Sequence, residues 1–165
     1  MSWARALRHL VAPPWQVRRA FPRRTLEAIE AAIGASERRH RGEIRFAVEG
    51  ALEFLPVASG LTARERALEL FSVLKVWDTE ENTGVLIYVQ WVERDIEVVA
   101  DRGIARLIPQ HGWDGICRRM EEAFRSGRYE AGVVEGIAEV SDLLARHFPA
   151  GTANLDELPD RPVIL

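Results

Sequence analysis

The chain has 165 residues, 47% of them hydrophobic and 28% charged, a balance that suits one globular domain and excludes wholesale disorder. Its net charge of −3 hides a basic start: residues 1–24 hold six arginines and no acid, leaving an acidic body that would repel phosphates and argues against nucleic-acid binding. The lone cysteine, Cys117, excludes an internal disulfide and fits a reducing cytoplasm; apolar runs such as Val85–Val89 are too short to span a bilayer, and Arg5, Arg8 and His9 rule out a secretory signal in the first ten residues.

Residues 1–22 read as a basic arm broken by Pro13-Pro14. Trp3, Arg5, Arg8, Trp15, Arg18 and Arg19 could lie on an anionic membrane surface or an acidic protein partner. The plainer reading is a helical arm folded back on the acidic body. The main domain is expected over 23–149. Leu26, Ile29, Ile33 and Ser36 share one face of a helix over 23–40, with Pro22 near its start. Ile44, Phe46 and Val48 then alternate as a half-buried strand would, and a loop through Pro56 and Gly60 follows. Thr62-Ala63-Arg64-Glu65 has the pattern of a capping box and opens a helix burying Ala67, Leu70, Phe71, Leu74 and Trp77.

Val85-Leu86-Ile87-Tyr88-Val89-Gln90-Trp91 is apolar nearly throughout, as a strand covered on both faces must be. Glu93-Arg94 turns it into an antiparallel partner, Ile96–Ala100. Asp101 caps a short helix that stops by Pro109. Trp113, Ile116, Cys117, Met120 and Phe124 mark one face of a further helix ended by Gly127, and Tyr129, Val133, Ile137, Val140, Leu144 and Phe148 mark the last. Gly132 and Gly136, four apart, let a neighbouring element come close. The Pro-punctuated tail 150–165 either docks through Val163, Ile164 and Leu165 or frays. A right-handed crossover makes the first two strands parallel, and the helix order predicts an α/β fold, a three-layer α/β/α sandwich over a small mixed sheet.

Asp78, then Asn82-Thr83-Gly84 running into the second strand, then Glu93-Arg94, then Val98-Val99-Ala100-Asp101-Arg102-Gly103-Ile104, resembles the signature of the TPM domain family. The likeness runs from about Ser36 to Phe148. Arg8-His9-Leu10 and the end, Asp156-Glu157-Leu158-Pro159-Asp160-Arg161-Pro162-Val163-Ile164-Leu165, resemble a short bacterial branch of that family without signal peptide or membrane anchor. Family members are described as phosphatase-like, as calcium-binding, and as helpers in membrane-complex maintenance, so the resemblance implies a choice among those roles.

The residues locate a site independently of the family. Antiparallel pairing sets the start of the second strand beside the end of the third, so Asp78, Glu80, Asn82 and Asp101 should converge, with Asp114 close by. Two carboxylates about 4 Å apart repel by on the order of 1 kcal/mol in water and about 4 kcal/mol at an effective dielectric near 20. A divalent cation, calcium above all, would relieve that repulsion with carboxylate and carbonyl oxygens. The loop is no EF-hand: Gly84 stands seventh from Asp78 where a sixth-place glycine is required, and Val89 holds the place of the bidentate glutamate.

A hydrolase needs a nucleophile or an activated water. Cys117 lacks the phosphate loop's arginine, since Ala123 stands there, and it falls on the apolar helix face. Asp78-Thr79-Glu80 lacks the second aspartate of aspartyl-phosphate enzymes, and no Gly-x-Ser-x-Gly elbow occurs. The Glu37…His40 pair has one half of a di-metal spacing and reads more simply as a helix C-terminus, with His40 and its arginines facing the dipole. Binding therefore ranks above catalysis. The expected function is a TPM-type accessory module with an acidic, cation-holding site, serving a protein partner at or near a membrane; a metal-assisted phosphatase at the same site is the alternative.

Overall fold

The structure is a computed structural model of the chain, and residues 3–152 and 155–165 are described. Its centre is a four-stranded mixed sheet. β1 (Glu43–Glu49) runs parallel to β2 (Gly84–Gln90), and β2 pairs antiparallel with β3 (Asp95–Ala100). The short β4 (Val163–Ile164) adds to the free edge of β1, parallel to Ala47 and Val48. The tail therefore docks, completing the sheet with Leu165 N–H donating to the Val48 carbonyl at 2.9 Å.

Helices cover both faces, as the alternation of elements predicts. On one face, α3 (Arg23–Glu37), α7 (Asp114–Arg125) and α8 (Tyr129–His147) bury Ile44, Phe46, Val48, Val85, Ile87 and Val89. α7 and α8 approach closely at the two expected glycines: a Cβ on Gly136 would lie 2.4 Å from Met120 Sδ, and one on Gly132 would lie 2.9 Å from Ala123 Cβ. On the other face, α5 (Ala63–Val73) packs Ala67 and Leu70 on Ala47, Leu86 and Tyr88. Its capping box is formed in full at Thr62 and Glu65.

Three features differ from the sequence expectation. All seven residues of β1 are buried, not alternate ones. The polar set on the α5 face is sealed by partners: Glu49 accepts from Arg66 at 2.7 and 3.0 Å and from the Tyr88 hydroxyl at 2.7 Å. Second, α5 stops at Val73, and Trp77 is half exposed instead of buried. The stop is a Schellman-type turn with Lys75 in the left-handed region (φ 53°), Val76 N–H donating to Phe71 O and Lys75 N–H to Ser72 O. With lysine in the usual glycine position, the sequence carries no stop signal there. Third, the loop through Pro56 contains a helix, α4 (Phe54–Ser59), ended by left-handed Gly60.

The arm folds back on the body. α1 (Trp3–Val11) lies against α4, burying Ala6 with Leu52, Val57 and Ala58, and α2 (Trp15–Ala20) is followed by a buried Phe21 in the main core. The tie is electrostatic: Glu93, in the β2–β3 turn, accepts from Arg5 Nε at 2.5 Å and meets His9 Nε2 at 2.8 Å, while Leu52 N–H donates to His9 Nδ1. Burial by itself would raise the Glu93 carboxyl, but the hydrogen bonds from Arg5 and His9 outweigh it and hold that group below the usual carboxylate range. A lowered carboxylate contributes stability above its ordinary titration range and loses it as acid reaches the native value. Glu93→Gln should therefore lower stability near neutral pH by about 2 kcal/mol and let trypsin cut after Arg5 and Arg8 faster than in the wild type. Unchanged urea midpoint and digestion rate would show that this clamp does not hold the arm.

Candidate functional site

The hairpin end forms as the strand pairing requires. Asp101 N–H donates to Gly84 O at 2.9 Å, Gly103 N–H to Asn82 O at 3.0 Å, and Arg102 Nε to Asn82 Oδ1 at 3.1 Å. Gly103 is needed for this approach, since a Cβ there would lie 2.4 Å from Asn82 O and 2.6 Å from Glu81 O. Asp101 is buried and caps α6 (Arg102–Ala105): one carboxylate oxygen accepts Arg102 N–H at 2.7 Å, while Oδ2 is buried with no hydrogen-bond partner among the described residues. Asn82, at φ 55°, spends its side-chain oxygen on Arg102. Asp78 and Glu80 are exposed, and Asp114 is exposed in the first turn of α7. The structure thus brings the loops of Asn82 and Asp101 together, but Asp78, Glu80, Asp101 and Asp114 do not assemble three carboxylates around one point.

A different trio does. Among the described residues, Glu37, Asp156 and Asp160 form the group in which one carboxylate oxygen from each residue lies within 4.8 Å of the others. Glu37 ends α3; Asp156 and Asp160 come from the tail on its way to β4. The tail is held there by hydrogen bonds to β1. Glu43 accepts Glu157 N–H at 3.2 Å and Leu158 N–H at 3.1 Å, and the Arg45 guanidinium donates to the carbonyls of Pro159 and Arg161. Gly34 leaves room for Asp160, whose Oδ2 would be 2.7 Å from a Cβ at that position.

These acids sit beside a cleft of about 450 Å³ lined by Gly34, Glu37, Arg38, Glu43, Asp156 and Asp160. Burial, with the negative charges of Glu43 and Asp160 beside it, pushes the Glu37 carboxyl up to about 9, even though Glu37 accepts Ile44 N–H at 2.8 Å. Burial likewise raises Glu43 to about 6. Asp160 Oδ1 is buried with no hydrogen-bond partner among the described residues. A carboxyl raised this far keeps its proton at neutral pH, and a hard cation could take that proton's place.

In the sequence, Glu37 stands out only by its spacing to His40. In the fold, His40 lies past the helix end in a bridge with Pro149 and is wholly buried. Burial pulls its imidazole down to about 4, so it is neutral at pH 7 and brings no charge to the helix dipole as expected of it. No spacing rule links Glu37 to acids more than a hundred residues later. The one usable signal was the acid-rich stretch Asp156–Asp160 itself. Cys117 packs against the core as expected, and burial pushes its thiol up to about 12, far from a reactive thiolate at neutral pH.

With the geometry in hand, a sequence model of the TPM domain matches residues 18–143. The chain belongs to the TPM domain family. The matched span takes in Glu37, the hairpin end and most of α8, and leaves out α1 and the tail with Asp156 and Asp160. This TPM domain is similar in structure to the BA42 protein of the psychrophilic bacterium Bizionia argentinensis, with a TM-score of 0.76 at 30% identity over 86% of this chain and 93% of that one. It shares its fold with the N-terminal domain of a P. gingivalis protein, at a TM-score of 0.61 and 20% identity, over 88% of this chain and 97% of that one. No curated protein matches the chain in sequence.

Proposed function

We propose that this TPM domain is a non-catalytic accessory module that takes up a divalent cation, calcium foremost, between α3 and the tail. The observation that carries the reading is the Glu37–Asp156–Asp160 trio, one oxygen from each within 4.8 Å of the others, with Asp160 Oδ1 buried and without a hydrogen-bond partner among the described residues. Two of the three ligands lie on a tail segment outside regular secondary structure, and an adaptable set of oxygens suits calcium better than the rigid octahedron magnesium demands. A bound cation would tighten the tail on β1 and so present one state of this edge to a protein partner. The buried Asp101 Oδ2, without a hydrogen-bond partner among the described residues, supports a second position at the hairpin end, with Asp78, Glu80, Asn82 and Asp114 as further donors.

Calorimetric titration with calcium, magnesium and manganese separates these positions. Binding heat is expected from the wild type and from Asp101→Asn, with calcium strongest, and is expected to vanish in Asp156→Asn/Asp160→Asn. The reverse pattern would move the site to the hairpin end, and no heat from any ion would remove the cation altogether. Metal-dependent turnover of a phosphate ester that disappears in Asp78→Ala would replace the accessory reading by a metal-assisted phosphatase.

The arm supports a place at a membrane surface. Among the described residues no helix is long and apolar enough to cross a membrane. Trp3, Leu7, Leu10, Val11 and Trp15 are nevertheless all exposed, beside the exposed Arg8, Arg18 and Arg19, whereas Arg5 is drawn inward to Glu93. Such a set suits peripheral contact with anionic lipid. Phosphatidylglycerol vesicles should float the wild type and lose Leu10→Ser/Trp15→Ser, two exposed side chains that belong to none of the core clusters. Equal flotation of both would exclude the arm as a membrane contact.

A further inference from the structure

The opposite end of the sheet holds a pocket that the cation reading does not use. It has a volume of about 400 Å³ and opens beyond the carboxyl end of β2, between that strand, the α1–α2 connection and the start of α8. Its size lies within the range of small-ligand sites, and the carboxyl ends of strands are where open α/β sheets take their ligands. The floor is apolar and aromatic: Val89, Trp91, Phe124 and Tyr129, with ring centroids 5.1 Å apart for Trp91–Tyr129 and 5.4 Å for Phe124–Tyr129. Trp91 is fixed by its indole N–H, which donates to Gln16 Oε1 at 3.2 Å.

The charged side chains lining the pocket are two arginines, Arg8 and Arg94, and no acid among the described residues joins them. Both arginines are exposed, and neither guanidinium has a hydrogen-bond or ion-pair partner among the described residues, although most other arginines near the sheet are paired. Arg94 sits at φ 56°, a strained conformation for a long side chain and one that persists where the surroundings impose it. An apolar floor with two unspent cations at its mouth is complementary to one kind of molecule. We infer that this pocket binds a small organic anion, with an aromatic or aliphatic body on the Trp91–Tyr129 floor and a single carboxylate, sulfonate or phosphate head between Arg8 and Arg94. The inference is independent of the cation site, which lies at the amino end of β1.

The test uses the full chain, two-dimensional NMR, and 1-naphthoate with the uncharged 1-naphthalenemethanol as probes. Naphthoate is expected to shift the Trp91 indole N–H and the amides of Trp91, Arg94 and Tyr129 saturably at millimolar concentration. The alcohol should bind about tenfold more weakly, as loss of a charge-assisted hydrogen bond implies. Arg8→Gln/Arg94→Asn, in which asparagine tolerates the left-handed backbone, should bring naphthoate down to the level of the alcohol without altering the rest of the spectrum. Octanoate displacing naphthoate from the same resonances extends the site to aliphatic anions; failure to displace it restricts the site to aromatic ones, and both outcomes support the inference. It is overturned by an absence of shifts at those resonances, by equal binding of the alcohol, or by undiminished naphthoate binding in the folded double variant.

Discussion

Gly84→Ala is expected to cost about 4 kcal/mol or more, or to prevent folding, placing it in the exceptional tail of single-substitution effects. A Cβ at this position would lie 1.9 Å from the Val76 carbonyl oxygen and 2.9 Å from its carbon. Those are backbone atoms, fixed by the Schellman-type turn at the end of α5 and by Gly84's own place at the head of a wholly buried strand. Neither side can retreat without breaking the β1–β2 register, in which Gly84 faces Glu43. Gly127→Ala supplies the control: Gly127 is left-handed at φ 72° with nothing within 4 Å of its Cβ position, so backbone strain alone should cost about 1 kcal/mol there. Urea unfolding of the two variants beside the wild type measures the difference. Near-equal midpoints for Gly84→Ala and wild type would mean that the Val76 turn does not press on β2.

Stability should also fall as pH rises, opposite to the behaviour of most carboxylates. Glu37 keeps its proton in the folded chain up to about 9 and releases it in the ordinary carboxylate range when unfolded. Between those limits the native state binds one proton more than the unfolded state, so stability is full below the unfolded value and is lost on the way up to the native one. The slope from this one group approaches about 1.4 kcal/mol per pH unit across that window, with Glu43 adding to it in the same sense only up to about 6. Glu37→Gln, which stays neutral and keeps an acceptor for Ile44 N–H, should flatten the slope and be more stable than the wild type at pH 8.5. Calcium should do the same to the wild type by displacing the proton, with apparent affinity rising about tenfold per pH unit below 9 if one proton leaves for each ion bound. Denaturation curves at half-unit pH steps, with calcium and with chelator, test both statements. A Glu37→Gln profile parallel to the wild type would show that Glu37 is ionised in the folded protein, and the cation reading would lose its main electrostatic support.

Much of the scaffold could be read directly from the residues. The capping box at Thr62, the hairpin turn at Glu93-Arg94 and Asp101 as a cap each depend on neighbours a few positions away, and the apolar run of β2 and the glycine pair of α8 are patterns contained in a single element. Such signals survive in sequence because the hydrogen bonds and packing faces they describe close over one or two turns. The hairpin end was legible for the same reason, since antiparallel pairing sets Gly84 beside Asp101 whatever the rest of the fold does. The end of α5 was not, because a lysine at φ 53° does the work usually left to glycine.

The sequence by itself therefore determined the α/β/α layering, the strand directions, the acidic loops beside the hairpin and the membership of the TPM family that the matched span bears out. Only the tertiary structure decided that the tail becomes a fourth strand, that Glu37 meets Asp156 and Asp160, and that Arg8 and Arg94 line one pocket with Trp91 and Tyr129. Those meetings join segments that lie far apart in the chain. They are set by which surfaces remain to be covered once the core has closed, and no local periodicity carries that information.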